Sequence, residues 1–180
     1  MELETERLLL RRWRPDDVEP LVAINGDPEV TRYYRDGTPY SRTETEQLLT
    51  DMEYEWEERG FGLFATELKE TGELIGYVGL SVPTFLPEVL PAVEVGWRLG
   101  RQHWGRGLAT EGGRASLAFG FARPDIDRIV SIRQVANDRS RRVMEKLGIR
   151  FIRQTPHPVH RRPLAIHEIT RGEWASAQPP

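Results

Sequence analysis

The chain of 180 residues contains no cysteine. That excludes a disulfide framework, a thiolate zinc site and a cysteine nucleophile, and it fits a reducing compartment. No apolar run approaches the roughly 20 residues of a membrane-spanning helix. The charged opening, Met1-Glu2-Leu3-Glu4-Thr5-Glu6-Arg7, lacks the apolar centre of a signal peptide, so a cytoplasmic location is expected. Charge of one sign is also in short supply: 25 Lys and Arg against 28 Asp and Glu leave a formal net charge of -3. Bulk electrostatics therefore recommend neither nucleic acid nor a membrane as a partner. Short basic clusters at 139–142 and at Arg161-Arg162 read as solvated surface. His157 and His160 share a loop with no acidic or sulfur ligand beside them, so no metal site is expected.

What is present is an ordinary balance, 38% hydrophobic and 29% charged, sufficient for one domain over 1–180. Leu8 to Trp13 reads as a strand, and Asp16 is a candidate cap for a short helix ended by Gly26-Asp27-Pro28. Ser41 and Glu44 have capping-box spacing, with Leu48, Met52 and Trp56 following at four-residue intervals. Gly60 closes that helix. Phe61–Leu68 and Leu74–Val82 read as a hairpin about Thr71-Gly72-Glu73. Pro83, Pro87 and Pro91 break up a connection long enough to project, either as a plain surface loop or as a lip over a channel. Val93–Leu99 is a strand, 107–121 a helix and Arg128–Gln134 a strand. Asn137-Asp138 caps a helix carrying Val143, Met144 and Leu147, with Gly148 as its left-handed stop. Ile149–Arg153 and Leu164–Thr170 supply two last strands. The order predicts an α/β (α+β) fold, a mixed sheet of about seven strands flanked by helices.

One turn carries more information than the rest. The strand Val93–Leu99 empties into Arg101-Gln102-His103-Trp104-Gly105-Arg106-Gly107-Leu108-Ala109, which opens a helix. Free N–H groups at a helix start, their partial positive charge and nearby arginines make an anion site. Gly105 and Gly107 allow positive φ and close backbone approach. The bland alternative is a flexible helix entry with its arginines in water.

Gln102-His103-Trp104-Gly105-Arg106-Gly107 resembles the Gln/Arg-x-x-Gly-x-Gly/Ala pattern of the GNAT superfamily of acyl-CoA-dependent N-acetyltransferases. The continuation Trp104 to Glu111 looks like the RimJ/RimL-like branch. Thr5–Arg11, Asp27–Val30, Glu73–Gly76, and Asn137–Ser140 followed by Met144–Gly148 are similar to other segments of that branch, in the same order. The resemblance implies the GNAT fold and attack of a primary amine on the thioester of acetyl-CoA. It implies no metal, an acceptor that is a peptide N-terminus or a small molecule, and a homodimer as a family expectation.

The resemblance also implies roles for residues. Backbone groups of Gly105, Arg106, Gly107, Leu108 and Ala109 wrap the pyrophosphate, with Arg101, Gln102, Trp104 and Arg106 around them. The pantetheine arm lies along the strand Val95, Gly96, Trp97, Arg98 and Leu99 as an added strand, and a backbone N–H near Trp97 serves the oxyanion. Gly96 permits close approach, packs against Trp97 or a helix, or does both. Asn137 bonds the cofactor arm or caps its helix. Ser140 faces either the cofactor or the helix surface. Alternation puts Glu94, Gly96 and Arg98 on one face, so Glu94 is either the general base or half of a surface pair with Arg98. Many family members carry an acidic tyrosine on the late helix; Met144 stands there and cannot donate a proton. Water, Ser140 or no acid at all serves instead. His103 is expected to be exposed. Tyr33, Tyr34 and Arg35 lie in the segment that lines the acceptor side.

Overall fold

Period-two alternation and capping signals produce the expected strands and the four longer helices, with one strand and two short helices more than the sequence suggests. The computed structural model describes residues 1–177; residues 178–180 of the expected domain lie outside it. The strands are β1 (Glu2–Glu4), β2 (Leu8–Arg11), β3 (Leu63–Leu68), β4 (Leu74–Ser81), β5 (Val93–Leu99), β6 (Arg128–Gln134), β7 (Arg150–Pro156) and β8 (Pro163–Thr170). They form a sheet ordered β1-β2-β3-β4-β5-β6-β8-β7. All neighbours are antiparallel except β5 and β6, which run parallel. The expected α/β fold is present with eight strands rather than seven. The extra one, β1, is too short to show an alternation; its pairing with Leu9, Leu10 and Arg11 is what makes it a strand.

The helices are α1 (Val18–Asn25), α2 (Pro28–Thr31), α3 (Arg42–Arg59), α4 (Leu108–Phe121), α5 (Asp138–Lys146) and α6 (Arg171–Ser176). The capping box at Ser41 and Glu44 forms, and Gly60 ends α3 at φ 68°. Asp16 is not the cap expected near α1. A 3-10 turn at Pro15–Asp17 precedes the helix, and the buried Asp17 carboxylate takes the Arg14 N–H at 2.7 Å and the Arg11 guanidinium at 2.7 and 2.8 Å. Gly26-Asp27-Pro28 ends α1 but also starts α2, with Asp27 accepting from the Glu29 N–H at 2.9 Å.

α1 and α3 pack on one face, through Leu21 and Met52 against Ala65, Leu74 and Tyr77. α4 and α5 cover the other, through Leu117, Phe121, Met144 and Leu147 against Leu80, Val95 and Ile129. A Cβ on Gly112 would come within 3.2 Å of Val78, and one on Gly113 within 2.8 Å of Leu147. Close packing of α4 between sheet and α5 thus accounts for both glycines. The proline-rich connection does not project. Leu86, Val89 and Ala92 are buried against Val130, Leu164 and Ile166, because apolar residues at these positions cover the β6–β8 face.

Candidate active site

The parallel ladder between β5 and β6 lasts two residue pairs, Val93 with Ile129 and Glu94 with Val130, and then the strands part. The rung that would follow joins the Val95 carbonyl to the Ile132 N–H. Instead the Ser131 hydroxyl donates to the Val95 carbonyl at 2.8 Å, and the Ile132 N–H donates to the Glu94 carboxylate at 3.1 Å. Further along, the Tyr34 hydroxyl donates to the Trp97 carbonyl at 2.6 Å and the Trp104 indole N–H to the Leu99 carbonyl at 2.8 Å. The odd-numbered backbone groups of β5 therefore face the fork. The even-numbered ones pair with β4, as the Gly100 N–H to Ile75 carbonyl bond requires of the register. The carbonyls on the fork side are capped by side chains, while the Trp97 and Leu99 N–H groups meet no strand there.

The fork opens onto the start of α4. Gly105 and Gly107 adopt φ 74° and 80°, a left-handed conformation that a side chain strains. Gly107 is the N-cap and supplies no side-chain acceptor. Among the described residues nothing accepts from the N–H groups of Leu108, Ala109 or Thr110. An uncapped helix start of this kind attracts anions. It is braced from outside: Glu111 accepts from the Thr5 hydroxyl at 2.6 Å and the Arg7 Nε at 2.7 Å, while Arg7 also donates to the Arg106 carbonyl at 2.9 Å. A cleft of about 400 Å³ joins this turn to β5, lined by Trp97, Leu99, Gly107, Asn137, Ser140 and Val143 among others.

α5 brings cations to the same cleft. Arg139, Arg142 and Lys146 line it, and the Arg139 guanidinium stands 4.4 Å from the Trp104 ring centroid. The basic cluster read as solvated surface is thus partly a cleft wall: Met144 and Leu147 turn one arc of this segment into the core, and Arg139, Arg142 and Lys146 lie on the arc beside the fork.

The opposite face carries Glu94, Gly96 and Arg98. Glu94 and Arg98 do not form the alternative surface pair; they lie about 13 Å apart along the strand. Desolvation pushes the Glu94 carboxyl up to about 8, against the Ile132 N–H bond that lowers it, with Glu55 nearby adding repulsion. A Cβ built on Gly96 would meet no atom within 4 Å outside its chain neighbours, so no helix packs on it and open space stands over this position. Arg98 is buried, donates to Asn25 Oδ1 at 2.8 Å and lies over the Tyr34 ring at 3.9 Å.

Known proteins share the sequence pattern and the fold of this chain. The profile of the Acetyltransferase (GNAT) domain family matches residues 7–150. The uncharacterized N-acetyltransferase p20 of Bacillus licheniformis is 31% identical over 150 residues, spanning 81% of this chain and 80% of the relative. The FsC-acetyl coenzyme A-N(2)-transacetylase of Aspergillus fumigatus is 29% identical over 189 residues, spanning 99% and 80%. An acetyltransferase structure from Agrobacterium tumefaciens is 28% identical with a TM-score of 0.79, covering 94% of each chain. The chain belongs to the GNAT family. It is an N-acetyltransferase with acetyl-CoA as acyl donor, and the sheet parted between β5 and β6 is its GNAT fold.

In this GNAT domain the residues singled out from sequence divide into groups. Trp97, Arg98, Leu99, Trp104, Gly105, Gly107, Leu108, Ala109, Asn137 and Ser140 line one cleft. Val95 is fully buried in the core beneath it. Arg101 points away, 3.5 Å from Asp27, and Gln102 folds back over Gly100. Arg106 turns toward His103, 3.5 Å from its Nδ1. His103 is buried rather than exposed, with Nε2 3.3 Å from Glu73. The Asn137 side chain accepts from the Ser140 N–H at 3.2 Å, so it does cap α5. Met144 is fully buried among core residues and does not face the cleft at all. Sequence reasoning missed Glu29, Val30, Arg142 and Lys146 as lining residues. A spacing of three and seven from Arg139 was the available signal for the two cations.

Proposed function

We propose that this acetyltransferase moves the acetyl group of acetyl-CoA to a compact primary amine by direct attack, within a RimJ/RimL-like architecture. The single observation carrying it is the β5–β6 fork opening onto the uncapped start of α4. The pyrophosphate sits on the N–H groups of Gly105 to Ala109, with Arg139, Arg142 and Lys146 supplying counter-charge, and the pantetheine arm follows the fork side of β5. The amine approaches over Gly96, the Trp97 N–H receives the oxyanion, and Glu94 takes the proton. The bond from nitrogen to the acetyl carbon forms as the carbon–sulfur bond breaks. Sulfur leaves as a thiolate, which at a thiol pKa of about 8.5 needs no dedicated acid near neutral pH.

Two readings of the acceptor differ. The resemblance of the Trp104–Glu111 turn to the RimJ/RimL-like branch favours a peptide N-terminus. The aromatic wall of Tyr34, Tyr40 and Tyr77 around Arg98 favours a small molecule, and so does the fungal relative named for acetylating an N(2) amine. Thiol release from acetyl-CoA across small amines and N-terminal peptides tests both. Release with small amines and not with peptides is the expected result; normal cofactor affinity with release for no amine would make the protein an acyl-CoA sensor.

A further inference from the structure

We propose that the acceptor amine carries a carboxylate and that Arg98 binds it, an inference that rests on the amine-acetyltransfer reading above. Arg98 is only 4% exposed. Its NH1 donates to Asn25 Oδ1 at 2.8 Å, its NH2 reaches the Tyr40 hydroxyl at 3.4 Å, and its Nε is buried without an acceptor. The guanidinium lies 3.9, 4.8 and 5.2 Å from the ring centroids of Tyr34, Tyr40 and Tyr77. Among the described residues no carboxylate pairs with it. The buried Arg11 shows the contrast, being held by Asp17 at 2.7 Å and Glu67 at 2.8 Å.

A buried cation without a counter-charge is costly, and aromatic faces and one amide oxygen offset only part of that cost. The charge is matched when an anion arrives with the ligand. Arg98 lines the cleft beside Trp97 and Tyr34, and the open space over Gly96 lies two residues back on the same strand face. Two residues of strand span about 7 Å, part of which the arginine side chain itself bridges. An amine standing over Gly96 can thus place a carboxylate one to a few carbons away on the unpaired Nε donor and the second N–H of NH2, the side of a guanidinium that suits a bidentate pair. Neutral or cationic amines leave Arg98 unmatched, so the same residue selects against them.

The test compares matched acceptors. Glycine, alanine, β-alanine, aspartate, glutamate and 4-aminobutyrate are each set against the corresponding primary carboxamide in the thiol-release assay. The same pairs are titrated calorimetrically into the protein saturated with coenzyme A. At least one carboxylate should exceed its amide by tenfold or more in kcat/KM, chiefly through KM. Arg98→Met should erase that preference and Arg98→Lys should keep part of it, with the KM for acetyl-CoA moving less than the KM for the acceptor. If Arg98→Met does not fold, the wild-type comparison decides alone. Equal use of carboxylates and amides overturns the proposal and leaves acetyl transfer standing. Arg98-dependent carboxylate binding with no thiol release from any amine keeps the anion site and removes the transferase reading. Absence of both preferential turnover and carboxylate binding overturns the proposal.

Discussion

Glu94 ends the parallel pairing of β5 with β6, and its carboxylate holds the Ile132 N–H that would otherwise pair across the gap. Desolvation raises its pKa from 4.5 to about 8. Between those values the folded protein binds a proton that the unfolded chain has released, so stability should fall as pH rises through this interval and level off above it. Glu94→Gln should flatten that slope, as denaturation at several pH values would read. The basic form accumulates as pH rises through 8, so kcat/KM should climb there. The glutamine variant should lose that limb and roughly 100-fold in rate. A pH–rate profile that the substitution leaves intact removes Glu94 from the chemistry. Burial of Met144 belongs to the same scale: it is a core side chain, and the cleft positions of its helix include Ser140 and Val143 beside the cations Arg139, Arg142 and Lys146.

At the scale of elements, the turn into α4 was legible because glycine spacing and helix-start chemistry are local. Gly107→Val places a β-branched residue at φ 80°, a conformation costing a non-glycine residue roughly 1–2 kcal/mol, and crowds the N–H groups of the helix start. Coenzyme A binding, followed by calorimetry, should be lost while most of the thermal stability remains. The cation row of α5 was not legible, since spacing alone does not say which arc of a helix faces solvent. Arg142→Ala and Lys146→Ala should each raise the KM for acetyl-CoA several-fold with little change in kcat. The penalty should shrink at high salt, where screening already weakens the pair. Equal KM values at low salt would return these residues to the surface reading.

Across the whole molecule, the sheet is held at its β2–β3 end by a buried network far from the cleft. Arg11 joins Asp17 at 2.7 Å and Glu67 at 2.8 Å, with side chains of Arg11 and Asp17 each 5% exposed. Asp17→Ala leaves a buried guanidinium short of its closest partner and should cost about 3–5 kcal/mol in a denaturant titration. It should leave acceptor selectivity unchanged in the molecules that fold. A loss confined to activity would mean that the network reaches the active site. Among the described residues no helix is long and apolar enough to cross a membrane.

The sequence by itself determined seven of the eight strands and the four longer helices in their order, the capping box of α3, the glycine-rich turn into α4 and the family, because each rests on contacts a few residues apart or on a pattern read along the chain. The tertiary structure alone decided the rest. It set where β5 and β6 part, that Met144 points into the core, that the proline-rich loop covers the sheet, and that Arg98 lies among tyrosines from the α2–α3 connection and from β4 with no carboxylate paired to it among the described residues. Those facts depend on how distant elements rotate and pack against one another, and burial of that kind leaves no local periodicity to read.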